Sequence, residues 1–155
     1  MNKSELRAAL VARLEQELAV IEAAQRATAR GVTHEEAKPE NDKDTRALEQ
    51  SYLARGQAQR VEELRTAVAD TKAMPLRAFA PDEPIALSAL ATIEDENGAQ
   101  RIFLALHGGG SQIGDVRVVT TRSPLGRALL GKTAGDDVEL EQRGLVRALS
   151  IVAVS

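Results

Sequence analysis

The sequence predicts an α+β chain: a long antiparallel coiled-coil hairpin of two α-helices, then a small antiparallel β-sheet with one short helix. Three observations carry that prediction. Residues from Ser4 to about Arg30 contain no Pro or Gly and repeat apolar residues at helical spacing. A second helical pattern runs from Asp44 to about Lys72. Beyond Pro81 and Pro84 the period changes to that of strands, with an Asn97-Gly98 turn between two of them.

Composition narrows the classes. A chain of 155 residues holds one large or two small domains. Apolar residues make up 43% of it, but aromatics only 2%, with one Tyr, two Phe and no Trp. Helices that bury Leu, Val and Ala against each other need no aromatics. The net charge of −3 gives no global basic signature for duplex DNA. The absence of Cys removes disulfides, thiolate metal sites and thiol catalysis, and fits a reducing cytoplasm. No apolar run of about 18 residues exists, so neither a membrane span nor a signal peptide is expected.

In the first helix Val11, Leu14, Leu18 and Ile21 are spaced 3, 4, 3, the seam of a helix packed on a partner helix. The same rhythm continues onto Gln25 and Thr28, and Gly31 is expected to end the helix. Residues 32–43 are polar and include Pro39. The second helix places Ala47, Ala54, Val61, Leu64 and Val68 on one stripe, with Leu48 and Tyr52 beside it. Gln50 and Gln57 fall on that stripe too. Each helix is roughly 40 Å long at 1.5 Å per residue. Similar lengths and a short polar connection read as a hairpin. Its seam is strongly apolar at the open end and small or polar toward the tip.

Met74 and Pro75 end the helical region. The division expected is a hairpin at 1–75 with an acidic tip at 33–44, a linker at 76–84 and a sheet domain at 85–155. The predicted strands are Ile85–Ile93, Arg101–Leu106, Asp115–Thr121, Asp137–Glu141 and Leu145–Val154. A short helix at Pro124–Leu130 interrupts them: Ser123 is a candidate N-cap, and Pro124 suits the first helical position.

Candidate chemistry is sparse. Gly108-Gly109-Gly110 lacks the Gly-Lys-Ser/Thr ending of a phosphate loop and reads as a turn. His34 and His107 share no metal-ligand spacing with other residues. The tip is more informative, because Glu35, Glu36, Glu40, Asp42 and Asp44 stand together against Lys38 and Lys43. Their mutual repulsion is relieved by solvent, by the positive N-terminus of the second helix, or by a divalent cation. Mg²⁺ is commonly held by one or two carboxylates plus waters and phosphates. Such a tip binds Mg²⁺ poorly alone but can complete a site supplied by another macromolecule. Arg26, Arg30 and Arg46, with Arg55 and Arg60, stand behind it and can hold a nucleic-acid strand. Surface solubility accounts for these arginines equally well.

The run Ser123-Pro-Leu-Gly-Arg-Ala-Leu-Leu-Gly-Lys132, leading into Asp137-Val-Glu-Leu140, resembles the C-terminal domain of the GreA/GreB transcript cleavage factors. With the hairpin before it, the resemblance extends over nearly the whole chain. It implies an FKBP-like fold for the C-terminal domain, docked on bacterial RNA polymerase at the secondary channel. Ser123, Pro124, Leu125, Arg127 and Leu130 are then the docking residues. The resemblance implies that the hairpin enters the channel and that Glu36, Glu40, Asp42 and Asp44 direct an Mg²⁺ shared with the polymerase active site. Backtracked RNA would be cleaved there, with Arg26, Arg30 and Arg46 facing the nascent RNA. The factor itself would be a cytoplasmic, monomeric accessory protein and no enzyme.

The tip aligns with the family's Gly-Asp-x-x-Glu-Asn-Ala-Glu-Tyr less closely. Glu40-Asn41 meets the Glu-Asn, while Ala37 stands at the family's Asp and Asp44 at its aromatic residue. Two activities therefore stay open: stimulation of cleavage, and occupation of the channel without cleavage. A coiled-coil module unrelated to transcription is the remaining alternative. A peptidyl-prolyl isomerase is disfavoured, because only Phe79 and Phe103 are available for an aromatic pocket.

Overall fold

A computed structural model describes the backbone of residues 1–36 and 43–155, and the side chains of residues 1–31 and 45–155. The elements in chain order are α1 (Lys3–Glu36), α2 (Lys43–Ala73), β1 (Leu90–Asp95), β2 (Gly98–Ala105), β3 (Gln112–Ile113), β4 (Val116–Thr120), α3 (Pro124–Leu129), β5 (Asp137–Gln142) and β6 (Leu145–Val154). The chain divides into two compact units, Ala12–Ala69 and Met1–Val11 with Asp70–Ser155.

In the helical unit, Leu14, Val61, Leu64, Ala67 and Val68 are buried. Leu18, Ile21, Gln25 and Thr28 of α1 and Gln50, Ala54 and Gln57 of α2 are half-buried. The graded seam read from the sequence is thus present. Leu48 and Tyr52 are more than half exposed, and Ala47 is exposed as well. Ala47, Ala54, Val61 and Val68 repeat every seventh residue, and a straight α-helix drifts about 20° per heptad from that repeat. The stripe therefore rotates out of the interface toward residue 47. Gln57 Oε1 is buried with no hydrogen-bond partner among the described residues. Such an orphaned acceptor is unfavourable by about 1–3 kcal/mol. Arg60–Glu17 at 3.5 Å and Arg65–Glu22 at 3.4 Å bridge the helices on the surface, where ion pairs add little. Gly31 does not stop α1, which continues to Glu36. A glycine stop needs the left-handed conformation, and Gly31 keeps an ordinary backbone conformation.

In the other unit, α1 begins with a reciprocal cap. The Asn2 N–H donates to Glu5 Oε2 at 2.8 Å, and the Glu5 N–H donates to Asn2 Oδ1 at 2.9 Å. The start of α1 lies beside the end of α2, which makes the helices antiparallel. Arg7 Nη1 donates to the Met74 carbonyl at 2.8 Å, and Lys3 Nζ to the Arg77 carbonyl at 2.7 Å. Leu6 and Leu10 are fully buried here, while Val11 is half-buried. The buried stripe departs from the predicted seam because Leu10 packs on the glycine-rich turn. A Cβ at Gly108 would come within 2.5 Å of Leu10 Cδ1.

The sheet has the order β3-β4-β2-β1-β6-β5. All its pairings are antiparallel except one. β2 and β4 run parallel, with Phe103 opposite Val118, where an all-antiparallel sheet was expected. The segment between them holds the Gly108–Gly110 turn and β3, and β3 folds back on β4. That short detour returns the chain to the end at which β2 began. The first strand also starts later than Ile85, since Ser88 has a φ of 69° and interrupts the extended run. Ile85 is tied instead to the segment after α3. Its N–H donates to the Lys132 carbonyl at 2.8 Å, and its carbonyl accepts from the Gly131 N–H at 2.9 Å. One face of the sheet buries Ile93, Ile102, Leu104, Val119, Val138, Leu149 and Ile151 with Leu129 of α3. Phe79, from the segment read as a linker, belongs to this core.

Candidate functional site

The short helix α3 is built by local chemistry. Ser123 has extended dihedrals, φ −68° and ψ 157°, and its Oγ accepts from the Gly126 N–H at 3.0 Å. The same hydroxyl donates to the Thr120 carbonyl at 2.8 Å. Pro124 occupies the first turn, where its missing N–H leaves nothing unsatisfied. Leu130 closes the helix by donating its N–H to the Gly126 carbonyl at 3.0 Å, and Gly131 follows with a φ of 80°.

These constraints sort the predicted docking residues. Ser123 is spent on the cap and is half-buried. Leu125 is half-buried and packs on the core. Pro124 and Arg127 are exposed, and Leu130 is 37% exposed. The surface that α3 offers is therefore Pro124, Arg127 and Leu130. Leu129, not Leu130, is the leucine that fills the core. The residue that sequence reasoning passed over is Gly126. A Cβ there would lie 1.9 Å from the Thr120 carbonyl oxygen, so the helix seats against β4 only with glycine at this place. A glycine inside a helix, where it is disfavoured, was the available signal.

The chain after α3 is pinned as well. Asp136 accepts from the Thr133 N–H at 2.8 Å and from its hydroxyl at 3.2 Å. The Thr133 N–H, followed by its hydroxyl, holds the Asp136 carboxyl below its ordinary pKa.

The tip residues lie elsewhere. Glu40 and Asp42 are outside the described residues. Glu36 ends α1 and Asp44 stands in the first turn of α2, with their side chains outside the described set. Among the described residues no group of three or more His, Asp or Glu side chains is placed to hold a metal. Arg26, Arg30 and Arg46 are exposed on the helical unit. Arg55 lies 6.0 Å from the centre of the Tyr52 ring. His34 is outside the described side chains, whereas His107 Nε2 lies 2.7 Å from Asp70 Oδ2. No helix among the described residues is long and apolar enough to cross a membrane.

Solved structures that resemble the chain include Gfh1 and GreA/GreB transcription factors. Gfh1 of Thermus aquaticus is 17% identical over 92% of this chain and 91% of that chain, with a TM-score of 0.42. GreA factor homolog 1 of Thermus thermophilus is 16% identical over 94% of each chain, with a TM-score of 0.41. The prokaryotic elongation factor GreA/GreB of Nitrosomonas europaea is 22% identical over 50% of this chain and 64% of that one, with a TM-score of 0.39. No family model and no curated protein matches the chain.

Proposed function

We propose that this protein is an accessory factor of bacterial RNA polymerase that docks through α3 at the secondary channel and stimulates Mg²⁺-dependent cleavage of backtracked RNA. The observation that carries the reading is the Ser123–Lys132 run. Its Ser-Pro-Leu-Gly opening forms a capped helix locked to β4, and it leaves Pro124, Arg127 and Leu130 outward. The order of helical hairpin and sheet unit supports the same reading. Glu36, Glu40, Asp42 and Asp44 are assigned to the Mg²⁺ of the polymerase active site, and Arg26, Arg30 and Arg46 to the nascent RNA. Mg²⁺ in such a site lowers the pKa of a bound water and stabilises the phosphoryl oxygens. The tip residues contribute carboxylates in trans, with no catalysis of their own. The protein acts as a cytoplasmic monomer.

The test is a backtracked elongation complex incubated with the protein. RNA should shorten faster than with polymerase alone, and an unchanged rate refutes the cleavage role. One observation favours a second reading, a factor that occupies the channel without cleaving. Ala37 stands where the resembling family carries Asp. Under this reading the protein competes with an authentic cleavage factor, and Ala37→Asp creates cleavage. Failure to retain polymerase subunits in a pull-down would sink both readings and leave a helical interaction module.

A further inference from the structure

The face of the sheet opposite the core is uncovered over β1, β6 and β5, and its residues form a pattern. The register puts Glu94, Ser150 and Asp137 in one row across the three strands. The next rows pair Ala148 with Glu139 and Val146 with Glu141. All of these residues are exposed, Val146 at 66%. Val152, at the β-bulge of β6, is also exposed. The central strand thus supplies a floor of Val146, Ala148, Ser150 and Val152. β5 supplies one wall with Asp137, Glu139 and Glu141, and β1 supplies the other with Glu94. Among the described residues, β1, β5 and β6 place no Lys or Arg on this face, and Arg101 of the neighbouring β2, opposite Thr92, is paired with Asp115 at 3.0 Å. Arg147 points to the other side, where its Nε donates to Asp95 Oδ2 at 2.7 Å, and Arg143 lies in the β5–β6 turn.

We propose that this face docks a basic amphipathic helix of a partner protein. The charge selects the class of occupant. Nucleic acid and anionic lipid surfaces are repelled by Glu94, Asp137, Glu139 and Glu141, and a second copy presents the same carboxylates to them. A helix with an apolar stripe flanked by Lys or Arg meets both parts of the surface. Its stripe covers the β6 floor and its cations reach the two walls. The floor from Val146 to Val152 is about 20 Å long at 3.3 Å per residue, the length of a helix of about 13 residues. Burying Val146 and Val152 supplies the apolar contribution, and the walls set orientation and on-rate. The inference does not rest on the polymerase reading.

The probe is a synthetic peptide of about 14 residues, with Leu on one helical stripe and Lys on its flanks. It is titrated into the ¹⁵N-labelled full chain. Expected amide shifts fall on Glu94, β5 and β6. Combined Glu94→Gln, Glu139→Gln and Glu141→Gln substitutions should weaken binding about tenfold, and raised salt should weaken it too. Val146→Ser, or Ser for Leu in the peptide, should also weaken it, and a Glu-for-Lys peptide should not bind. The Gln variant is isosteric at exposed positions, and its thermal melt checks that it folds, while Val146→Ser tests the floor independently. Unchanged affinity in the Gln variant, or shifts centred on α1 and α2, would overturn the assignment.

Discussion

A Cβ added to Gly126 would lie 1.9 Å from the carbonyl oxygen of Thr120. That same oxygen accepts from Ser123 Oγ and from the Ser123 N–H at 3.1 Å. One carbonyl at the end of β4 therefore sets both the cap and the seat of α3. Gly126→Ala should lower stability by about 3 kcal/mol, because the clash is with backbone and cannot be relieved by a rotamer change. Ser123→Ala should cost about 1 kcal/mol, the usual loss of an N-cap. Urea denaturation measures both, and an alanine at 126 as stable as the parent would contradict the seat.

Gly31 and Gly56 lie inside α1 and α2, with nothing among the described residues within 4 Å of the position a Cβ would take. Alanine is favoured over glycine in a helix interior by about 1 kcal/mol. Gly31→Ala and Gly56→Ala should each raise the midpoint of helix unfolding followed by far-ultraviolet circular dichroism. A loss of stability at 31 would mean that α1 does not run through that residue.

The side chain of Asp95 is 7% exposed, and it is held by Arg147 and by the Asn97 N–H at 2.8 Å. The Arg147 hydrogen bonds, then the Asn97 N–H, hold its carboxyl below the ordinary value of 3.8. A depressed folded-state pKa contributes stability that is present above the unfolded value and lost as pH falls through the folded one. The parent should therefore lose stability below about pH 4. Asp95→Asn should be less stable at pH 7, and the gap to the parent should narrow in acid. Melting temperatures of the two proteins across the acid range decide this. A gap that stays constant with pH would remove the assigned cause.

The docking reading makes a prediction that separates surface from scaffold. Arg127 and Leu130 project from α3, and neither belongs to the core cluster. Arg127→Glu together with Leu130→Ser should leave the melting temperature within a few degrees of the parent, as substitutions away from packing features do. Retention of RNA polymerase in a pull-down should fall severalfold. Undiminished retention would move the docking surface away from α3.

The elements legible in the sequence were those with local causes. Leu145–Val154 is the strand predicted, and α3 differs from its predicted span only at the last residue. Ser123 and Pro124 announce that helix without reference to anything distant. What escaped depends on distant partners. The parallel pairing of β2 with β4 is written in neither strand, because the continuous buried run Ile102–Ala105 marks a strand covered on both faces without giving its partner or direction. β3 spans only Gln112–Ile113, too short for a period to show. Ser88 has no Gly or Asn to mark its positive φ, and Leu10 is preferred to Val11 only because a glycine loop receives it. Of the candidate site, the α3 surface and the Ser123 cap were readable, except for the hydroxyl bond of Ser123 to Thr120 and the seat at Gly126. Each of these two faces Thr120 on the preceding strand.

β6 is the last strand in the chain, yet it lies inside the sheet between β1 and β5. Its end is bound to the start of β1 by a reciprocal pair, Leu90 N–H to Ser155 at 2.9 Å and Ser155 N–H to Leu90 at 2.8 Å. During synthesis β1 and β5 must therefore wait, with their apolar faces open, until the intervening strand emerges. Closing so distant a pair is slow compared with local helix formation. The hairpin helices can form while the sheet is still incomplete, which makes the nascent sheet the stage most exposed to aggregation and most dependent on chaperones.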